Sequence, residues 1–395
     1  MLTLPDMKRF LAATLILLLS FGLNAREAKL LDGRHNGTDE ITRLVKRMTL
    51  KEKVCQMFIV RPESLVCPED PLSLDITEFS SDMADFYNEY PVSGFCLFPK
   101  NIVSPEQLSK FTGDLRSLSY PVSGSRSIPC RPVLCIDEEG GRVARIANTD
   151  SFGLRKFESM TALAADNDEK KVYDASFYIG SYVRKFGFDI DFAPVADVNT
   201  NPDNIIIGPR SFSDNPETAA RMVVSYLSGL SDSGIKGCIK HFPGHGDTRN
   251  DTHLGYAATT KTWDEIDACE MVPFKAGIAA GVQLIMIAHI AAPNVTGTDL
   301  PSTLSSVILQ EKLRGTLGYK GLIITDAMEM GAITLKYGPA EAAVASVKAG
   351  TDIILLPADL KKAVDGIIRA VRKGEISEKR IDESVYRILS FKSSL

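Results

Sequence analysis

Eight short runs of apolar residues punctuate the chain: Cys55 to Val60, Gly94 to Phe98, Val133 to Ile136, Phe188 to Phe192, Ile235 to Ile239, Val282 to Ile287, Leu322 to Thr325 and Asp352 to Leu356. Each is closed by turn-forming or polar residues and is nearly continuous in apolar character. That pattern marks a parallel strand covered on both faces, not an alternating, half-exposed one. Helix-like segments such as Pro216 to Ser231 and Pro339 to Lys348 lie between the runs, so the chain reads as repeated strand-helix units. Eight such units predict an α/β fold, a (β/α)8 TIM-type barrel, over its rival, a doubly wound open sheet. The polar residues tip the choice. Arg61, Lys100, Asp137 with Glu138, Asp197, Lys240 with His241, His289 and Asp326 all fall after the carboxyl ends of the runs, the rim on which barrel enzymes place their chemistry.

The N-terminus follows a different rule. Lys8 and Arg9 precede the apolar stretch Phe10 to Leu23, and Leu-Asn-Ala ends at Ala25 before Arg26. This is the form of a signal peptide. Residues 1–25 are therefore expected to be a signal segment and residues 26–395 a single catalytic domain, exported to the periplasm or secreted. The apolar stretch is short for a membrane span and no cysteine follows it to accept a lipid, so no stable membrane association is expected after cleavage. Ile41 to Lys53 reads as an amphipathic helix, Ser117 to Cys130 as a surface loop, and Leu360 to Leu395 as charged amphipathic helices that close the barrel.

Composition narrows the partners. The chain is 44% hydrophobic and 24% charged, with 45 basic against 50 acidic residues and a net charge of -5. No basic run could track a phosphate backbone, so nucleic acid is not an expected partner. The seven cysteines include no C-x-x-C pair and are odd in number, which argues against a disulfide framework or a zinc ribbon. Cys55, Cys96, Cys135 and Cys238 fall in candidate core strands, leaving Cys67, Cys130 and Cys269 for optional pairing.

Three of the five histidines, His241, His245 and His253, fall in one segment, KHFPGHGDTRNDTH, from Lys240 to His253. It starts at the end of the fifth run and continues into a loop that is long for a strand-to-helix connection. His, Asp and His at short spacing could ligate zinc. The Gly-x-Gly implies a tight turn, however, and neither a helical H-E-x-x-H frame nor an H-x-H near the first run is present. The other reading pairs Asp251 with His253: a carboxylate two residues away holds an imidazole in one tautomer and favours its protonated form, as a general acid requires. Asp326, in GLIITDAMEM, is a carboxylate at the mouth of the seventh strand, placed to attack a bound substrate or, alternatively, to cap the following helix. Asp137, Arg145, Arg210, Lys240 and His241 supply acceptors and charged donors suited to a hydroxyl-rich ligand. Glu138 and Glu139 read as structural, and His245 as an organiser of the loop.

Motifs along nearly the whole chain resemble glycoside hydrolase family 3, specifically its single-domain β-N-acetylhexosaminidase branch. They are LVKRMTLKEKVCQMF (Leu44 to Phe58), IDEEGGRVAR (Ile136 to Arg145), IGPRSF (Ile207 to Phe212), KHFPGHGDTRNDTH, MIAHI (Met286 to Ile290) and TDAMEMGAI (Thr325 to Ile333). The resemblance implies a retaining β-N-acetylglucosaminidase. In it Asp326 is the nucleophile, His253 the acid/base and Asp251 the residue that orients it. Asp137, Arg145, Arg210, Lys240 and His241 bind the sugar, and neither metal nor other cofactor is needed. Alternatives within the family are a β-glucosidase or, because a neutral histidine would not repel an anionic acceptor, a phosphorylase-type activity. The expected substrates are peptidoglycan fragments, chitin oligomers or other glycans, and the expected state is a monomer. After His253 the sequence reads LGYAATTKT, where many relatives carry Leu-Pro a few residues on.

Overall fold

A computed structural model describes residues 33–119, 131–248, 252 and 255–395. The signal segment 1–25, most of the loop Ser117 to Cys130, and both Asp251 and His253 lie outside the described residues. The chain divides into two units, Met1–Lys46 and Arg47–Leu395. Of the first, a helix beginning at Gly33 and ending at Arg47 is described. The helix expected over Ile41 to Lys53 is in fact two. Thr49 interrupts it as an N-cap, its hydroxyl accepting from Glu52 N while the Glu52 carboxylate accepts from Thr49 N, and a second helix runs Leu50–Cys55.

The second unit is built on ten strands: β1 Phe58–Val60, β2 Gly94–Cys96, β3 Val133–Ile136, β4 Glu138–Gly140, β5 Val143–Ala144, β6 Ile190–Asp191, β7 Lys236–Phe242, β8 Leu284–Ile287, β9 Leu322–Thr325 and β10 Ile354–Leu355. Eight of them form a parallel sheet in the order β10-β1-β2-β3-β6-β7-β8-β9. The two ends of that order meet. Ile324 pairs with Ile353 in parallel, Thr325 N donates to Ile353 O, and Leu355 N donates to the Thr325 hydroxyl at 3.0 Å. The result is a (β/α)8 barrel. Strands β1, β2, β3, β8 and β9 are buried at every residue. One face fills the barrel and the other lies under helices, which is why the runs do not alternate.

The outer helices are set by caps and apolar stripes. Asn215 caps the helix Pro216–Asp232, its side chain accepting from Thr218 N at 2.8 Å with proline at the first helical position. This helix packs between Glu169–Lys185 and Met271–Ala279. Ala363, Val364, Ile367 and Ile368 form the buried stripe of Leu360–Arg372, and a final helix spans Glu378–Lys392. Among the described residues no helix is long and apolar enough to cross a membrane.

Three expectations need correction. Cys55 ends the helix Leu50–Cys55 and is not in a strand. Lys240 and His241 lie within β7, which runs to Phe242, instead of following the strand's end. The run Phe188 to Phe192 contributes only Ile190 and Asp191 to the ladder. The six described cysteines are free thiols, Cys67 and Cys269 among them.

Candidate active site

The carboxyl ends of the strands surround a cavity of about 240 Å³ whose lining includes Asp137, Arg145, Arg210, Lys240, His241 and Asp326. Asp137 follows β3 directly. The chain then folds into the hairpin β4–β5, which brings Arg145 back over Asp137, the two being 3.7 Å apart. Arg210 ends a single helical turn, Gly208–Arg210, after β6. Lys240 and His241 stand on β7 next to β8, and the β7–β8 pairing shifts register between Ile239 and Phe242. Asp326 follows β9; its backbone N donates to Ile287 O and its Oδ1 accepts from Ala327 N at 2.8 Å.

These groups form one continuous network. Lys240 Nζ lies 2.7 Å from Asp137 Oδ1 and 2.5 Å from Glu139 Oε1. Arg210 grips Glu139 with two bonds, Nε to Oε2 at 2.8 Å and NH2 to Oε1 at 2.7 Å. The same NH2 lies 3.4 Å from His241 Nε2, and His241 Nδ1 lies 2.7 Å from Asp197 Oδ2. Because arginine only donates, Nε2 is the accepting nitrogen and Nδ1 carries the proton to Asp197. Arg145, Asp137, Lys240, Glu139, Arg210, His241 and Asp197 are thereby linked in that order, each holding the next in place.

Charge follows from these contacts. Burial disfavours ionisation of Glu139, but Arg210 and Lys240 outweigh it and hold the carboxyl well below the usual range. Burial likewise works against the Lys240 ammonium, and Asp137 with Glu139 more than offsets it, so the pKa rises. Arg210 is raised by Glu139 against the same opposing burial. Burial would raise Asp197 too, but the neighbouring His241 keeps it below the ordinary value. The pocket thus presents fixed charges whose orientation is set before any ligand arrives, as preorganised binding of a polyhydroxyl compound requires.

Two members of this network were not among the expected site residues. Glu139 reads as structural in sequence and Asp197 merely as a rim polar group, yet Glu139 is the shared counterion of two of the expected binding residues. Asp197 accepts from His241 N and from His245 N at 2.7 Å as well as from the His241 ring. Glu138 does behave structurally: it is fully buried, accepting from Ile146 N, Ala147 N and the Tyr182 hydroxyl. Opposite the network, Glu329 lines the cavity and pairs with Arg61, whose guanidinium stacks on Phe98 at 4.2 Å from the ring centre. His289 bridges the Thr303 hydroxyl and Ala327 O, both at 2.9 Å, and so braces the turn that carries Asp326.

Comparison with known proteins places this arrangement. The family described as glycosyl hydrolase family 3 N terminal domain matches residues 49–391. The chain belongs to glycosyl hydrolase family 3. It is 32% identical over 283 residues to a beta-hexosaminidase of Stenotrophomonas maltophilia, covering 71% of this chain and 80% of that protein. It is 29% identical to beta-hexosaminidase A of Pseudoalteromonas piscicida, covering 81% of this chain but 56% of that protein. A solved family 3 beta-N-acetylglucosaminidase from Paenibacillus superposes with a TM-score of 0.78 at 37% identity, covering 88% of this chain and 62% of that one. The chain therefore spans little more than half the length of some relatives and most of others. The family 3 barrel is the fold described above, and this chain is a glycoside hydrolase by family.

Proposed function

We propose that this family 3 protein is a retaining exo-β-N-acetylglucosaminidase. The observation that carries the reading is the convergence of Asp326 with Asp137, Arg145, Arg210, Lys240 and His241 on one cavity at the carboxyl ends of the strands. The beta-hexosaminidase relatives and the beta-N-acetylglucosaminidase structure support the choice of sugar. In this reading an Asp326 oxygen attacks the anomeric carbon while His253, oriented by Asp251, protonates the departing oxygen. Water then displaces the aspartate from the glycosyl ester, giving up its proton to His253. Positive charge gathers on the ring in both transition states, and the Asp326 carboxylate lies against it. Asp137 accepts and Lys240, Arg210 and Arg145 donate to sugar hydroxyls, with no metal or other cofactor taking part. The proposed substrates are terminal β-linked N-acetylhexosamines of peptidoglycan fragments or chitin-type glycans, met outside the cytoplasm by a monomer exported through residues 1–25.

Hydrolysis of paired aryl β-N-acetylglucosaminide and aryl β-glucoside, with and without EDTA, tests this in wild type and Asp326→Ala. The expected result is chelator-resistant cleavage that prefers the N-acetyl sugar and falls by about 10³-fold or more in the variant. Preference for the glucoside would overturn the assigned sugar, and loss of activity on chelation would overturn the Asp/His chemistry.

A further inference from the structure

His245 is 2% exposed and does not line the cavity; its ring packs edge-on against His241 and makes two hydrogen bonds, Nδ1 with the Thr248 hydroxyl at 2.7 Å and Nε2 with the Thr252 hydroxyl at 3.2 Å. Its backbone is tied down as firmly. His245 N donates to Asp197 Oδ1, and His245 O accepts from Asn204 Nδ2 at 2.8 Å and from the Thr248 hydroxyl at 2.9 Å. The Thr248 hydroxyl gives its one proton to that carbonyl, so Nδ1 is the donating nitrogen and Nε2 accepts the Thr252 hydroxyl. A neutral imidazole meets both demands, and burial pushes the His245 pKa down.

Thr252 is also gripped from the opposite side. It is 1% exposed, and its carbonyl accepts from Ala332 N at 3.1 Å. Ala332 belongs to the short helix Gly331–Thr334 that follows Asp326. One buried threonine thus joins the β7 loop to the segment leaving β9, and its sequence neighbours are Asp251 and His253.

We propose that His245 and Thr252 are positioning residues for proton transfer, holding the one described residue between Asp251 and His253 to the segment that leaves the strand carrying the nucleophile. This rests on the reading of His253 as acid/base. Neither residue touches substrate. Their effect falls on the step in which the leaving oxygen is protonated, because among the described residues neither side chain hydrogen-bonds to the Asp137-to-Asp197 network that does the binding, which His245 meets only through its backbone N and an edge contact with the His241 ring.

The test is kcat/KM, which reports the glycosylation step, on aryl β-N-acetylglucosaminides whose phenols range from 2,4-dinitrophenol to phenol. Wild type, Thr252→Val, Thr252→Ser, His245→Asn, His253→Ala and the Thr252→Val/His253→Ala double variant are compared. Thr252→Val is expected to lose about ten- to hundredfold on the phenyl glycoside and little on the dinitrophenyl one. Thr252→Ser restores activity, the inhibition constant of N-acetylglucosamine is unchanged, and the double variant is no worse than His253→Ala alone. His245→Asn, whose amide can replace Nδ1 but not Nε2, gives the same pattern and serves if Thr252→Val does not fold. A loss equal across all leaving groups, failure of serine to rescue, or multiplicative losses in the double variant would overturn the proposal. A flat leaving-group profile for His253→Ala would instead overturn the acid/base reading, so the two failures are distinguishable.

Discussion

Successive residues of a strand point to opposite faces, and at β4 this separates two adjacent glutamates. Glu138 turns under the hairpin to collect backbone amides, while Glu139 turns into the cavity to hold Lys240 and Arg210. Asp137, Lys240, His241 and Asp326 were legible as rim residues because each stands at or just beyond a recognisable apolar run, and Arg145 and Arg210, further along the loops, through the motifs IDEEGGRVAR and IGPRSF. Glu139 was not, since Glu-Glu-Gly-Gly reads as a turn and only the pleat of a hairpin assigns the second glutamate to the pocket. A third carboxyl beneath them shows the converse situation. Asp191 on β6 is fully buried, accepts from Glu138 N at 2.8 Å through Oδ1, and has no partner for Oδ2 among the described residues. Burial raises its pKa well above the ordinary value despite that hydrogen bond. The native group keeps its proton where the unfolded one, near 3.9, loses it. The stability it contributes is therefore complete below about pH 4 and is lost as pH rises towards the native pKa. Asp191→Asn should accordingly raise the urea midpoint at pH 7, with the gain vanishing below about pH 4. A gain that is independent of pH would mean that charge is not the cause.

At the scale of elements, β7 carries most of what the sequence could not show. The apolar run stops at Ile239, but the strand continues to Phe242. Hydrophobicity ends early because the last residues of a barrel strand open onto the cavity, where polar side chains are paired instead of desolvated. Beyond the strand, the Gly-x-Gly expected to make a tight turn does so for a steric reason. A Cβ on Gly246 would lie 1.8 Å from Val198 O, and one on Gly244, at φ 116°, 2.5 Å from Glu270 Cγ. Lys261, 2.5 Å from Glu270 and 3.7 Å from Asp247, staples the returning end of the same loop. Gly246→Ala should cost about 1–3 kcal/mol in a denaturant melt and lower kcat/KM by about tenfold or more as the loop is displaced. Wild-type values for both would show that the Val198 backbone yields without consequence. The capped break at Thr49 was equally hidden, since the amphipathic period runs through it while the capping box Thr49/Glu52 stops it locally.

For the molecule as a whole, the two ends of the barrel do separate work. Opposite the cavity, Asp352 gathers Arg314 at 2.5 Å, Arg387 at 3.0 Å, the Ser384 hydroxyl at 2.7 Å and Ile323 N at 3.1 Å, while Arg380 donates to Thr351 O at 2.8 Å. The closing helix Glu378–Lys392 is thereby bound to the seam between β9 and β10. Asp352→Asn leaves partly buried guanidinium groups without their fully buried counterion and should cost about 3 kcal/mol of stability, seen as a lower melting temperature. The kcat/KM of the folded fraction should be unchanged, and a fall in it would tie the seam to catalysis. The eight runs made the barrel legible because burial on both faces writes itself into consecutive residues, whereas this hub, built from side chains distant in sequence, leaves no local pattern. The cavity end differs in another respect. Its described lining sets Asp137, Glu139, Asp326 and Glu329 against Arg145, Arg210 and Lys240, with Arg61 beside Glu329. Among these described residues positive and negative charges offset each other, so they send little field out of the mouth. An uncharged sugar therefore meets the pocket by plain diffusion at a rate that ionic strength leaves alone, and an anionic glycan gains no electrostatic pull towards it.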